Sequence, residues 1–274
     1  MTGRKASPVK TKFGIIGCGF LGRIVAQAWK DGLLPDYELA GVLGGSPASA
    51  GELAAAMGCR ACTGLDELLA LGPAYLVEAA SVQAVRDYAC PALQRGVNLV
   101  LLSIGAFADA SFYDRVQQAA REGGARVHLA SGAIGGFDVL QTVTLMAQAL
   151  RLAETAGIET DTGAEGFRGT PVWSERLLEG SEKTTVFAGN AREAIEVFPR
   201  RVNVAVAAAL ATAGPEATGV TLHAVPGWRG DDHRITAEAG GVRAVVDVCS
   251  DTSAIAGWSA VALLRNLASP IQFF

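Results

Sequence analysis

The chain has 274 residues, of which 50% are hydrophobic and 18% are charged, and its formal net charge is −4. This length suits one large globular domain or two smaller ones, each with a substantial core. The acidic balance and the lack of a basic stripe argue against a nucleic-acid partner, and no run of about 18 apolar residues predicts a membrane span.

A glycine-rich turn near the N-terminus organises the first part of the chain. Gly17, Gly19 and Gly22 form the pattern G-x-G-x-x-G after an apolar strand and at the start of a helical pattern. In dinucleotide-binding domains the first glycine permits a tight turn, the second lets a pyrophosphate approach the backbone, and the third lets the helix pack close to the strand. We therefore predict that these glycines, with Phe20 and Leu21, bind NAD or NADP at the helix N-terminus. The alternative is a glycine turn in an unrelated α/β fold.

The second predicted strand, 37–43, ends without the acidic residue that usually binds the adenine ribose of NAD. Gly44, Gly45 and Ser46 follow the strand instead. The sequence therefore does not distinguish NAD from NADP. Ser46 and the two glycine amides are candidate contacts for the 2′-phosphate of NADP.

Strands and helices alternate along the first 130 residues. In chain order we predict helix 21–30, strand 37–43, helices 48–57 and 66–71, strand 74–79, helix 82–95, strand 97–102, helix 110–122 and strand 126–130. Such alternation is typical of a doubly wound parallel sheet, and ligands of these sheets bind beyond the carboxyl ends of the strands. We therefore predict cofactor contacts from Ala79, Ala80, Ser81 and Ser103, in the loops that follow two strands.

The pattern changes after residue 136. We predict helices over 137–153, 191–198, 202–213 and 259–267, and strands over 155–161, 163–167, 220–225, 234–239 and 242–249. Short alternating strands suit a mostly antiparallel sheet. The predicted fold is α/β: a doubly wound parallel sheet over 1–136 and an α+β domain over 137–258, with the C-terminal segment 259–274 packed back on the first domain.

Three histidines are candidates for the acid/base group that hydride-transfer enzymes need. His128 lies in an apolar strand and is predicted to be structural, whereas His223 could face either side of a strand. His233 follows a polar loop, and Asp231 and Asp232 beside it can tune its pKa for proton transfer near neutral pH. The residues favour His233, with an exposed loop histidine as the alternative.

Polar residues near position 200 form a second candidate group. The amide of Asn203 can pair with a nicotinamide carboxamide, because both groups donate and accept hydrogen bonds. Alternatively, Asn203 caps its own helix. Arg200 or Arg201 could bind a substrate carboxylate or could be a solvated surface charge.

The five cysteines are an odd number, which favours reduced thiols and a cytoplasmic location. The first eleven residues are polar and basic and lack the apolar core of a signal peptide, which also favours a cytoplasmic location. Cys59 and Cys62 form a C-x-x-C pattern, but no second Cys/His pair stands at zinc spacing. We predict no metal.

Five segments resemble the L-aspartate dehydrogenase family over nearly the whole chain. The most specific are Ser-Gly-Ala-Ile-Gly-Gly at 131–136 and Phe-Pro-Arg-Arg-Val-Asn-Val-Ala at 198–205, and the others are 13–22, 78–81 and 232–235. The resemblance implies a Rossmann domain, an α+β domain that also shapes a homodimer, and NAD(P)-dependent oxidation of L-aspartate. Its product, iminoaspartate, hydrolyses to oxaloacetate and ammonia or feeds NAD biosynthesis. By position, the resemblance implies that Ala133 and Asn203 contact the cofactor and that His233 is catalytic.

Two segments depart from the family pattern. The family's Asn-Pro-x-Thr-Ser segment is Cys-Ser-Asp-Thr-Ser at 249–253, which keeps Thr252 and Ser253 as candidate substrate contacts. A Lys-Pro-Pro segment of the family is replaced by Arg-Gly-Thr-Pro at 168–171. Two alternatives therefore stay open: a reductase of another imine or oxo substrate on the same fold, and a non-catalytic nucleotide-binding protein.

Overall fold

The computed structural model describes residues 9–198 and 203–273. The strands are β1 (Thr11–Ile16), β2 (Tyr37–Leu43), β3 (Arg60–Cys62), β4 (Tyr75–Glu78), β5 (Asn98–Leu101), β6 (Val127–Leu129), β7 (Glu154–Gly163), β8 (Thr184–Asn190), β9 (Thr218–Val225), β10 (Asp231–Ala239) and β11 (Val242–Ser250). The helices are α1 (Phe20–Lys30), α2 (Pro47–Met57), α3 (Leu65–Ala70), α4 (Val82–Gln94), α5 (Ala110–Gly123), α6 (Phe137–Leu150), α7 (Ala191–Val197), α8 (Asn203–Leu210) and α9 (Ala254–Ala268). The described residues divide into two compact units, one of 9–103, 114–130 and 257–273, the other of 104–113, 131–198 and 203–256.

The first unit is built on a six-stranded parallel sheet in the order β3-β2-β1-β4-β5-β6. Phe13 and Ile15 of the central strand β1 are fully buried, as expected where helices cover both faces of a parallel sheet. The strand order reverses between β1 and β4, where Ile16 pairs with Glu78. The predicted doubly wound sheet is confirmed, and its switch point lies at the carboxyl ends of these two strands.

The C-terminal helix α9 contributes to the same unit from Gly257 onward. The hydroxyl of Tyr37 on β2 donates a hydrogen bond to the carbonyl of Leu264 at 2.8 Å. Gly257 lies so close to α1 that a Cβ there would be 3.0 Å from Ile24. A small residue at this position therefore lets the two helices approach.

The second unit contains a five-stranded mixed sheet in the order β11-β10-β7-β9-β8, in which only β7 and β9 run parallel. Alternate residues of β10, among them Ile235 and Ala237, are buried, and α6 packs against β10 and β11. Residues 104–113, predicted as a loop and the start of a helix in the first domain, belong to this unit. Their 3-10 helix, Ile104–Ala108, packs against α8.

Two predictions for the second sheet were wrong. The predicted strand 163–167 does not form, because both neighbours of β7 stop at its end: Thr162 pairs with the first residue of β10, and Gly163 with the last residue of β9. Residues Ala164–Phe167 instead form a short 3-10 helix. Strand β10 starts at Asp231, three residues before the predicted strand 234–239, so His233 lies within the ladder rather than in a loop.

The sequence did not predict β3 and β8. Strand β3 has only three residues, and β8 has a register shift between Thr185 and Phe187. Neither segment shows a clean alternation of apolar residues. In the described ranges, no helix is both long and apolar enough to cross a membrane.

Candidate active site

The three glycines of the turn between β1 and α1 have three different surroundings. Gly17 has a φ of +108°, and a Cβ there would lie 2.5 Å from the carbonyl oxygen of Ala79. A Cβ at Gly22 would lie 1.8 Å from the carbonyl oxygen of Gly17, whereas one at Gly19 would meet nothing within 4 Å. Gly17 thus permits the tight turn, and Gly22 lets α1 pack closely against that turn. Gly19 lies on the open side of the loop.

The start of α1 is open to an anion. Gly19 occupies the N-cap, so no side chain caps the first turn, and that turn contains no acidic residue. Phe20 beside it is 59% exposed. The free N–H groups and the helix dipole favour a phosphate at this position. A dinucleotide pyrophosphate fits this cradle, because the missing Cβ of Gly19 leaves the approach clear.

The other predicted cofactor contacts of the first unit meet beside this turn. The backbone of Ala79 and Ala80 faces Gly17. The carboxylate of Glu78, at the end of β4, accepts hydrogen bonds from the N–H groups of Ala80 and Ser81 and from both the N–H and the hydroxyl of Ser103. Two loops that follow neighbouring strands are therefore joined through one side chain.

The residues that follow β2, Gly44, Gly45 and Ser46, carry no charged side chain. The hydroxyl of Ser46 caps α2 by accepting a hydrogen bond from the N–H of Ser49 at 3.2 Å. Gly45 has open space where a side chain would project. Ser46, predicted as a candidate phosphate contact, therefore also has a structural role at the N-terminus of α2.

His233 is buried in β10, with only 5% of its surface exposed. Its Nδ1 lies 2.9 Å from Oγ1 of Thr160, its register partner on β7. Its Nε2 has no hydrogen-bond partner among the described residues. Burial lowers the pKa of His233, and the charges of Asp231 and Asp232 oppose this shift only in part. The structure thus favours a neutral imidazole with one nitrogen anchored and the other available.

The two carboxylates next to His233 are held differently. Asp231 accepts a hydrogen bond from Oγ1 of Thr162 at 2.7 Å. Oδ1 of Asp232 is buried and has no hydrogen-bond partner within the described ranges. Burial, followed by the nearby charge of Asp247, raises the pKa of Asp232. The two carboxylates thus oppose the effect of burial on His233 without reversing it.

His223 differs from His233 because both of its ring nitrogens have partners. Its Nδ1 lies 3.0 Å from Oγ1 of Thr185, and its Nε2 lies 3.0 Å from Oε1 of Glu159. Together with Asp161, His223 and Glu159 have ligand atoms within 4.8 Å of one another, a spacing that could hold a metal ion. The ammonium of Lys183 already bonds to both carboxylates, at 3.0 Å from each. These interactions account for His223 as a structural residue.

The remaining candidates lie in the second unit. Oδ1 of Asn203, the first residue of α8, accepts a hydrogen bond from the N–H of Gly105 at 2.8 Å. The alternative in which Asn203 caps its own helix stays a prediction, because the residues just before Asn203 lie outside the described range. Ala133 is half-buried in the turn before α6. Arg200 and Arg201 lie outside the described residues.

Thr252 and Ser253 lie in the exposed connection between β11 and α9. Oγ1 of Thr252 accepts a hydrogen bond from the N–H of Ala254, the first residue of α9, and its carbonyl accepts one from the hydroxyl of Ser250. The altered segment 249–253 thus ends in a compact turn before the helix.

Sequence reasoning missed Thr160 as the partner of His233. The available signal was its position: Thr160 is two residues from the buried Ile158, so alternation places it on the same inner face of β7. A polar residue on an inner face needs a hydrogen-bond partner. The identity of that partner depends on the strand register, which the sequence does not reveal.

Comparisons with known proteins agree with these features. A family model described as the C-terminal domain of aspartate dehydrogenase matches residues 143–267, and one described as the NAD-binding domain of homoserine dehydrogenase matches residues 17–130. The chain is 33% identical to L-aspartate dehydrogenase of Methanosarcina acetivorans and 33% identical to that of Methanospirillum hungatei. Each alignment covers 95% of this chain and 98% of the relative.

Solved structures place the fold in the same group. Aspartate dehydrogenase from Thermotoga maritima superimposes with a TM-score of 0.74 at 26% identity, covering 96% of this chain and 99% of that chain. A putative myo-inositol dehydrogenase from Sinorhizobium meliloti gives a TM-score of 0.53 at 16% identity, covering 92% of this chain and 86% of that chain, a likeness of fold alone. From its identity to full-length relatives, this chain belongs to the L-aspartate dehydrogenase family.

Proposed function

We propose that this chain is an NAD(P)-dependent dehydrogenase that oxidises L-aspartate to iminoaspartate, which hydrolyses to oxaloacetate and ammonia. The observation that carries the proposal is His233, a buried histidine with Nδ1 anchored by Thr160 and Nε2 without a partner among the described residues. Its position matches the catalytic histidine of the family. The relatives named L-aspartate dehydrogenase support the substrate.

The cofactor is NAD or NADP, bound at the open side of the glycine turn. Gly19 and the first turn of α1 would hold the pyrophosphate, because no side chain caps the N–H groups there and no Cβ intrudes. The predicted contacts of the first unit are Gly17, Gly19, Phe20, Leu21, Gly22, Ala79, Ala80, Ser81 and Ser103. Ala133 and Asn203 complete the set by resemblance, and the Nδ2 amide of Asn203, which has no hydrogen-bond partner in the described part of the chain, is free to pair with the nicotinamide carboxamide.

His233 acts as the base for the substrate amine. A bound nicotinamide supplies the hydride acceptor, so that Cα of the amino acid is oxidised by two electrons. Before the hydride leaves, the substrate ammonium must lose a proton, and Nε2 of His233 accepts it while Nδ1–H donates to Oγ1 of Thr160. In the hydrolytic step His233 returns this proton to the imine nitrogen, and the freed Nε2 then accepts a proton from the water that adds to the imine carbon.

The substrate is recognised by its two carboxylates. Thr252 and Ser253 offer hydroxyl groups, and Arg200 and Arg201 offer guanidinium groups that suit bidentate binding of a carboxylate. A dicarboxylate also favours the charged form of His233 once bound, so this residue contributes to binding as well as to proton transfer. The altered segment 249–253 makes the identity of the amino acid the point to test.

The decisive experiment is a screen of amino acids with NAD or NADP, and of oxo acids with ammonia and the reduced cofactors, followed by absorbance of the reduced nicotinamide. We expect the highest turnover with L-aspartate or oxaloacetate. Activity with another oxo acid would change the substrate and retain the reaction class. Cofactor binding without turnover of any substrate would favour a nucleotide-binding protein without catalysis.

We also propose that the chain forms a homodimer in the cytoplasm. The edge strand β11 exposes Val242 and Val245, which are 44% and 39% accessible and could be covered by a second copy. The five unpaired thiols support a reducing compartment. Sedimentation analysis of the purified chain tests the assembly: a mass of one protomer at micromolar concentration contradicts the dimer.

A further inference from the structure

Glu78 is the one acidic residue of the first unit's described core, and the proposed chemistry does not use it. It is 1% exposed, so it has no access to solvent or to a dinucleotide. A buried carboxylate is unfavourable unless hydrogen bonds compensate for the lost hydration. At Glu78 these bonds come from two different loops.

The four hydrogen bonds of Glu78 all use the carboxylate as acceptor. Oε1 lies 2.8 Å from the N–H of Ala80, 2.8 Å from the N–H of Ser81 and 2.9 Å from the hydroxyl of Ser103, and Oε2 lies 3.0 Å from the N–H of Ser103. Burial raises the pKa of Glu78, and these donors act in the opposite direction. Three backbone donors directed at one side chain favour the ionised form, which only accepts.

The same carboxylate indirectly supports the glycine turn. The N–H of Ala79 donates to the carbonyl of Ile16, and the backbone of Ala79 and Ala80 fills the space where Gly17 would carry a side chain. Ser81 in turn caps α4 by accepting a hydrogen bond from the N–H of Ala84. A displacement of residues 79–81 would therefore also displace the turn after β1 and the start of α4.

We propose that Glu78 is the positioning residue for the nicotinamide half of the cofactor site, an inference that rests on the proposed dinucleotide binding. In the strand order 3-2-1-4-5-6 the adenine ribose binds beyond β2, so the nicotinamide half lies on the side of β4 and β5. Glu78 joins the loops that follow these two strands. It acts through Ala80, Ser81 and Ser103 and does not touch the dinucleotide itself.

The test compares NADH with ADP-ribose, which lacks the nicotinamide, in binding to wild type and to Glu78→Gln. In either orientation the glutamine places its NH₂ group against a backbone N–H. We expect the Kd for NADH to rise at least about tenfold and the Kd for ADP-ribose to change less than about threefold. Equal losses for both ligands, or no loss for either, would overturn the assignment.

Two further variants guard against a general loss of folding. Ser103→Ala removes only the hydroxyl bond, and we expect a smaller rise in the Kd for NADH, about threefold, with the same selectivity. Thr144→Val removes a comparable side-chain bond to Glu154 in the second unit, and we expect both affinities to stay unchanged. A drop in NADH affinity in Thr144→Val would show that the effect is nonspecific.

Amide hydrogen exchange without cofactor separates this inference from the proposed function. In Glu78→Gln, exchange at Ala80, Ser81 and Ser103 should accelerate at least about tenfold, while the amides of β1 and β2 keep their protection. Unchanged exchange at the three amides contradicts the role of Glu78, whether or not the chain binds a dinucleotide. Failure of wild type to bind either ligand contradicts the proposed function alone.

Discussion

Oγ1 of Thr160 lies 2.9 Å from Nδ1 of His233, and the two residues are direct partners across β7 and β10. This pairing holds the imidazole ring from one side, and Nε2 has no hydrogen-bond partner among the described residues. We expect Thr160→Val, which keeps the shape and removes the hydroxyl, to lower kcat about 5- to 10-fold, the value of one hydrogen bond. Thr160→Ser should retain kcat within about twofold, and the Kd for NADH should not move. Equal activity of the valine and serine variants would contradict a role for the hydroxyl.

Removal of the proposed base should affect turnover and spare cofactor binding. General acid/base help is typically worth about 10²–10⁴ in rate. We therefore expect His233→Ala to lower kcat at least about 100-fold at saturating substrate, with the Kd for NADH within a few-fold of wild type. His223→Ala is the matched control, since His223 has structural partners on both nitrogens. If His233→Ala turned over like wild type, a water held by Thr252 or Ser253 would be the next candidate.

The pKa of His233 should lie below the ordinary value of 6.5, because burial is the largest effect on it. A lowered pKa keeps the imidazole neutral, and hence basic, to a lower pH than in an exposed histidine. NMR titration of the imidazole resonances in the substrate-free protein measures this directly. The chain has three histidines, so the resonance that is missing from His233→Ala identifies the group. A midpoint at or above 6.5 would mean that Asp231 and Asp232 outweigh burial.

Substitutions at two glycines of the turn should have different effects, one on cofactor affinity and the other on the stability of the fold. Gly19→Val projects a branched side chain into open space, and we expect it to weaken NADH binding at least about tenfold, which is about 1.4 kcal/mol, with little change in Tm. Gly22→Ala forces a Cβ against the carbonyl oxygen of Gly17, and we expect it to destabilise the fold by about 1–3 kcal/mol. Calorimetry of binding and thermal unfolding distinguishes the two. A large drop in Tm for Gly19→Val would contradict the open approach.

Selection between NAD and NADP should be weak, because no carboxylate follows β2. We expect the two affinities to differ by less than about 10³-fold, or about 4 kcal/mol. Gly45→Asp adds a carboxylate where the structure has open space, and it should lower the affinity for NADP more than that for NAD by charge repulsion with the 2′-phosphate. A wild-type preference for NAD above 10³-fold would point to a discriminating contact elsewhere.

Much of the first unit could be predicted from local patterns. The apolar strands of a parallel sheet are buried on both faces, so residues 13–16 of β1, 39–43 of β2 and 99–101 of β5 appear as continuous apolar runs. The glycine spacing also predicted that Gly17 would permit the tight turn, that Gly19 would leave the approach open and that Gly22 would allow close helix packing. By contrast, the short strands β3 and β8 carry little periodicity, and their pairing comes from neighbours that are distant in sequence.

The sequence by itself determined the doubly wound sheet and the glycine turn, because backbone conformation and amphipathic period are local properties. It also favoured His233 among the three histidines. Only the tertiary structure decided what these residues contact. Register placed Thr160 opposite His233, and strand order brought Glu78 to Ser103. Such contacts depend on which strands pair and in what alignment, and a buried polar group finds its partner only after the chain has folded.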